Sequence, residues 1–160
     1  MKISFELDVS YSQISVFLSD VVNPFNIWSD GHVAQGFAWR PGSVSFKTMA
    51  EFGKHTVDVV LLEEDKYIVD NKAIRVIKVP FNISSDSEIE IASVSESRLV
   101  KLPIGQYSLF CEFIEDVFFL NRHVRFVFSK SHFPEFCLIK ADEGLTPPCE
   151  LIKMATAANL

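Results

Sequence analysis

What this chain lacks narrows its identity first. No apolar run reaches the roughly 18 uninterrupted residues that a membrane-crossing helix needs, although 48% of its 160 residues are hydrophobic and 15 are Phe. Cysteine is scarce: Cys111, Cys137 and Cys149 are odd in number and show no CxxC spacing, which fits reduced thiols better than a disulfide framework. Basic charge is also short, with 15 Lys and Arg against 21 Asp and Glu and a net charge of −6. No basic block is long enough to follow a phosphate backbone, so direct contact with nucleic acid or with an anionic membrane is not expected. The opening residues place Glu6 and Asp8 where a signal peptide would carry an apolar stretch, and a cytoplasmic location is expected.

Catalytic motifs are missing as well. The sequence holds no GxSxG elbow, no P-loop, no GxGxxG and no HExxH. Gly42-Ser43-Val44-Ser45 comes nearest, but it has no second glycine and reads as a turn entering a strand. His32, His55, His123 and His132 lie too far apart for metal-ligand spacing, and the cysteines add no paired ligands. Neither a catalytic residue nor a metal or other cofactor is expected.

What is present is alternation. Ile3, Phe5, Leu7 and Val9 alternate with Lys2, Ser4, Glu6 and Asp8, the period of two of a half-buried strand. Ile14, Val16 and Leu18 repeat the pattern after a corner at Ser10-Tyr11-Ser12, with Phe17 as the exception on the polar side. Ser29 as N-cap, Asp30 in the first turn and Gly36 just past the end predict a short helix. Thr56 to Leu62 is apolar in part on both faces, which predicts a central strand, and the charged run Glu63-Glu64-Asp65-Lys66 closes it as a loop. The phase change between Val76 and Ile77 suggests a β-bulge there. Arg98 to Phe113 reads as a hairpin that turns at Leu102-Pro103-Ile104-Gly105. Residues 155–160 look frayed.

At 160 residues the chain suits one domain. The expected architecture is all-β: an antiparallel β-sandwich with one short helix near residues 29–35, a single domain over residues 1–140, and an irregular C-terminal tail over 141–160. Its acidic balance has a natural counterpart in a basic surface on another protein. Two carboxylate groups are the candidates for such contact: Glu63, Glu64 and Asp65 on one loop, and Asp86, Glu88 and Glu90 on a turn and the strand after it. A solvated rim is the competing reading of both. Tyr11, Phe17, Trp28 and Trp39 crowd the first forty residues, either as core or as an exposed partner surface.

Several short stretches in fixed order carry a family resemblance. They are Ser10-Tyr11-Ser12-Gln13 with Val16-Phe17, Trp28-Ser29-Asp30 with Gly36-Phe37-Ala38, Gly42-Ser43-Val44-Ser45-Phe46, Val79-Pro80-Phe81, Ile89-Glu90-Ile91, and Ser97-Arg98-Leu99 through Pro103, Gly105 and Tyr107. Across Leu7 to Phe113 the chain resembles the competence protein J family of DNA-entry nuclease inhibitors. The resemblance implies a small, non-catalytic β protein that binds and occludes a nuclease. The alternatives are an immunity or antidote protein against another toxin, or a carbohydrate- or lipid-binding sandwich with Trp28, Trp39 and Tyr11 as a stacking platform. Oligomeric state is not legible.

Overall fold

The computed structural model describes residues 1–160 apart from 85–87, 117, 119, 121 and 160. Its strands are β1 (Lys2–Val9), β2 (Gln13–Leu18), β3 (Phe37–Arg40), β4 (Ser43–Lys47), β5 (Gly53–Leu62), β6 (Ala73–Ile83), β7 (Ile89–Ala92), β8 (Ser97–Val100), β9 (Gly105–Ile114), β10 (His123–Lys130) and β11 (Cys137–Lys140), with one helix, α1 (Asp30–Gln35). A six-stranded sheet in the order β1-β5-β10-β9-β6-β11 packs on a five-stranded sheet in the order β3-β4-β2-β7-β8. All pairings are antiparallel except β5 with β10, which run parallel.

The alternating residues of β1 explain its place. Phe5, Leu7 and Val9 are buried while Lys2, Ser4, Glu6 and Asp8 face water. Fully buried Phe46, Phe81, Phe126 and Phe128 meet between the sheets, with Phe81 and Tyr107 both edge-on to Phe128. Each such ring is worth about 1.5–3 kcal/mol of transfer free energy. Strand β5 is central, between β1 and β10. Its second apolar face, and that of β6, belongs to a smaller cluster on the outside of the large sheet, where Val76, Phe110 and Val127 lie under the β5–β6 loop. Tyr67 of that loop stacks on Phe110 at 3.6 Å, and its hydroxyl donates to the buried Glu112 at 2.6 Å. Glu112 also accepts from Arg125 at 3.1 Å, so the buried carboxylate is compensated by a charge and a hydroxyl. Burial and the neighbouring Glu112 carboxylate push the Tyr67 hydroxyl far above its usual titration range.

Helix α1 forms where its caps predict. Ser29 Oγ accepts from His32 N, His32 Nδ1 accepts from Ser29 N at 3.0 Å, and Gly36 closes the helix at φ +88°. This is a capping box with histidine in the place of the usual Glu or Gln. Because Nδ1 accepts, Nε2 carries the proton and donates to Met154 O at 3.2 Å.

Three expectations are corrected. Arg98 to Phe113 is no hairpin: β8 pairs with β7 in the small sheet, and β9 pairs with β6 and β10 in the large one. The Pro103 segment crosses between sheets because β9 is buried on both faces and can only sit mid-sheet, whereas β8 is exposed over most of its length. Against β9 the bulge in β6 falls between Ala73 and Arg75; at Val76 and Ile77 the register does slip, but against β11, where the extra residue lies between Leu138 and Lys140. Val76 and Ile77 are both buried because each face of β6 has its own apolar cluster. Residues 155–158 are tied down: Ala155 N donates to Trp39 O, Ile27 N to Thr156 O and Ala158 N to Phe25 O. The first of these bonds lies on the free edge of β3, and the other two tie the tail to the segment around Asn26.

A candidate protein-binding surface

The register sorts the loops into two ends. At one end lie the start of β1, the loops after β5 and before β7, the β8–β9 crossover and the segment after β10. At the other lie the Tyr11 turn, the β4–β5 loop, the β7–β8 turn and α1. Glu63, Glu64 and Asp65 are exposed at the first end, and half-buried Glu88 joins them there because Leu18 pairs with Ile89. Glu90 is opposite Phe17 and Leu99. With Ile89 and Ile91 buried on its two sides, Glu90 faces outward from the small sheet. Asp86 lies outside the described residues. The two acidic stretches, 63–65 and 88, thus share one end of the sandwich although 23 positions or more separate them in the chain.

A groove of about 650 Å³ opens beside them, lined by Met1, Leu61, Glu63, Glu64, Pro103 and Lys130, among others. His132 Nε2 is 3.4 Å from Glu64 Oε2, an exposed pair that water screens. The groove combines an apolar floor with carboxylates on its lip, which suits the stem and head of a partner's Lys or Arg side chain. Sequence reasoning identified the carboxylates and missed the floor, since Met1, Leu61 and Pro103 come together only through the crossover.

The positions that carried the resemblance divide between framework and surface. Tyr107 Oη donates to Pro103 O at 2.7 Å and pins the crossover, and Gly105 opens β9 opposite Ile83. Arg98 lies 4.9 Å over the Phe5 ring, sealing the core where β8 and β1 come side by side. Asp30 begins α1 and Gly36 ends it. Trp28 Nε1 donates to Gln13 Oε1 at 3.3 Å, next to the exposed Tyr11. Trp39 is elsewhere: its indole donates to Pro80 O at 2.7 Å and stands edge-on to Phe136. Phe17 is buried beside Phe25. A stacking platform of Trp28, Trp39 and Tyr11 therefore does not assemble.

One constellation has the residue types of a hydrolase triad. Asp58 accepts from Ser4 Oγ at 2.6 Å and is 2.7 Å from His123 Nε2. Burial works to raise the Asp58 carboxyl, but the Ser4 and His123 hydrogen bonds and the His123 charge outweigh it and hold it below its ordinary value. Aspartate sits between the other two, whereas a serine nucleophile needs histidine between serine and aspartate to take its proton. As connected, the three side chains join β1, β5 and β10 and leave Ser4 unactivated. Among the described residues no group of three or more His, Cys, Asp or Glu side chains gathers as a metal site.

The two-sheet frame thus carries an acidic, grooved end, and its Ser4, Asp58 and His123 side chains are not connected as a nucleophilic triad. The family model of competence protein J (ComJ) matches residues 6–127, and the chain belongs to the competence protein J family. It is 31% identical over 107 residues to the DNA-entry nuclease inhibitor of Bacillus subtilis (strain 168), an alignment covering 66% of this chain and 77% of that one. Its fold is similar to the crystal structure of ComJ from Bacillus subtilis, described as the inhibitor of the DNA degrading activity of NucA. The TM-score is 0.68 at 24% identity, over 81% of this chain and 96% of that chain.

Proposed function

We propose that this chain is a non-catalytic inhibitor that binds a DNA-degrading nuclease in the cytoplasm and covers its substrate cleft. Membership of the competence protein J family, with a nuclease inhibitor as a 31% identical relative, is the observation that carries this reading. The physical mechanism follows from charge. A cleft that holds DNA must present Lys and Arg to phosphates. Carboxylates set at the end of a rigid sandwich meet those cations with charge-assisted hydrogen bonds and steer the encounter. Glu63, Glu64, Asp65, Glu88 and Glu90 supply that charge, and the groove behind Glu63 and Glu64 accepts a basic side chain.

The direct test is titration of the purified chain into a NucA-type nuclease cutting plasmid DNA. Cleavage should fall in proportion to added protein and cease near equimolar ratio. Undiminished cleavage in a large molar excess of the chain contradicts the reading.

A further inference from the structure

We propose that the Tyr11 turn is the apolar anchor by which this chain seats on its nuclease, an inference that rests on the inhibitor reading above. Tyr11 and Ser12 both have φ +57°, in the left-handed region that bulky side chains seldom adopt. Tyr11 nevertheless leaves 78% of its surface in water, so no packing within the chain accounts for holding a large aromatic there. Phe52, 63% exposed, stands in the adjoining loop, where Ser12 N donates to Glu51 O at 2.9 Å and Gly53 pairs with Val9. On its other side Tyr11 walls a groove of about 400 Å³ with Trp28, Gln13, Val33 and Lys47. An exposed ring in the wall of a groove that also holds a tryptophan, with a second exposed ring in the adjoining loop, forms the kind of aromatic patch that dominates binding energy when a partner covers it.

Charge selects the occupant. The exposed carboxylates of Glu51, Asp30, Asp8 and Glu96 lie around the turn and the adjoining end of β1 and outnumber the nearby cations, Lys47 in the groove wall, Arg122 beside Gly53, and Lys54, which pairs with Glu6 at 3.5 Å. A second copy of the chain would set these carboxylates against one another. A protein surface with an apolar spot ringed by Lys and Arg fits, and the margin of a DNA-binding cleft is such a surface. Strand β1 links the patch to the acidic groove, beginning at Lys2 beside it and ending at the Tyr11 turn. Its eight residues span about 24 Å, within the width of one standard interface of roughly 800 Å² per partner. Asp8 N donates outward to Glu96 Oε2 at 2.9 Å. Strand alternation therefore turns the amides of Ser4 and Glu6 to the same open side. The acidic groove, the β1 edge and the aromatic turn form one continuous face.

The test is isothermal titration of a purified NucA-type nuclease with the wild-type chain, Tyr11→Gly, and Tyr11→Gly combined with Phe52→Ser. Glycine is at ease at φ +57°, so Tyr11→Gly should melt no lower than wild type, and lost binding cannot then be ascribed to misfolding. The double variant should bind roughly 30-fold or more weakly, the range of a lost hot spot. Wild-type inhibition together with a folded double variant whose Kd stays within about threefold, roughly half of a tenfold step in binding energy, overturns the anchor alone. Absence of any binding by the wild-type chain overturns the inhibitor reading and the anchor with it.

Discussion

On one flank of the sandwich, beside β3 and the outer strand β11, the chain's own residues 155–158 bond to Trp39 of β3 and to residues 25–27; on the opposite flank the outer edges of β1 and β8 have no strand beside them among the described residues. The covered flank is built for stability. Buried Arg75 forms a two-pronged ion pair with Asp142 at 2.6 and 3.0 Å and donates to Lys47 O at 2.8 Å. Gln35, fully buried at the end of α1, donates to Phe37 O and Ile152 O and accepts from Ile152 N. Phe136 then stacks on Phe37 and meets Trp39 edge-on. The open flank has lighter fastenings, the Glu96 cap on Asp8 N and Arg98 over Phe5, and it leaves Leu99 57% exposed. Bare strand edges invite pairing, so a chain that ties its own residues 155–158 along the β3 side and leaves β1 and β8 bare has placed its contact face and its supporting face on different sides.

The largest expected effect breaks the supporting side. Asp142→Ala strands the Arg75 guanidinium in the core, and loss of one partner of a buried pair costs about 3–5 kcal/mol, readable as a lower urea midpoint. Burial works to raise the Asp142 carboxyl, but the hydrogen bonds and charge of Arg75 hold it below its ordinary value. Gln35→Leu comes next: it leaves the buried Phe37 carbonyl and the half-buried backbone groups of Ile152 without their partner, at about 1–3 kcal/mol, and hydrogen exchange should rise across 145–158. Neither variant should alter nuclease affinity in the folded protein.

On the contact side, Glu63→Lys with Glu64→Lys, or Glu88→Lys with Glu90→Lys, should leave the melting temperature nearly unchanged. Each pair should slow association about tenfold, an effect that added salt reduces. Unchanged association in both double variants would remove the acidic end from the interface. The smallest effect lies in pH. His55 is fully buried on β5, with Nδ1 donating to Gly53 O at 2.9 Å. Burial, opposed by that hydrogen bond and reinforced by the Arg122 charge, lowers its titration below the ordinary value of 6.5. Below pH 6.5 the unfolded chain therefore binds a proton that the folded chain does not, and stability falls as pH drops from there. His55→Gln should remove that slope from a series of denaturation curves.

Much of the frame could be read from residues that act locally. The strict alternation of β1 and the Ser29 and Gly36 caps of α1 each follow from neighbours within a few positions, and both elements stand where those signals put them. The crossover at Pro103 escaped because turn chemistry tells a chain to change direction without saying whether it stays in its sheet. Docking of residues 142–158 rests on Gln35 and Arg75, more than sixty positions away from their partners Ile152 and Asp142, and no local pattern announces such contacts. The candidate site divides in the same way. Its carboxylates were visible as charge runs, while the exposure of Tyr11 depends on a left-handed turn whose sequence, Tyr-Ser, lacks the Asn-Gly or Asp-Gly that marks such turns.

Hydrogen exchange of the chain, free and saturated with the nuclease, separates the two flanks most directly. The outward amides of Ser4 and Glu6 should exchange quickly in the free protein and slowly in the complex, with new protection also over residues 10–13 and 51–53 and none over 145–158. Protection confined to residues 145–158, with β1, the Tyr11 turn and β8 unchanged, would contradict the assignment of the open flank as the face that meets the nuclease.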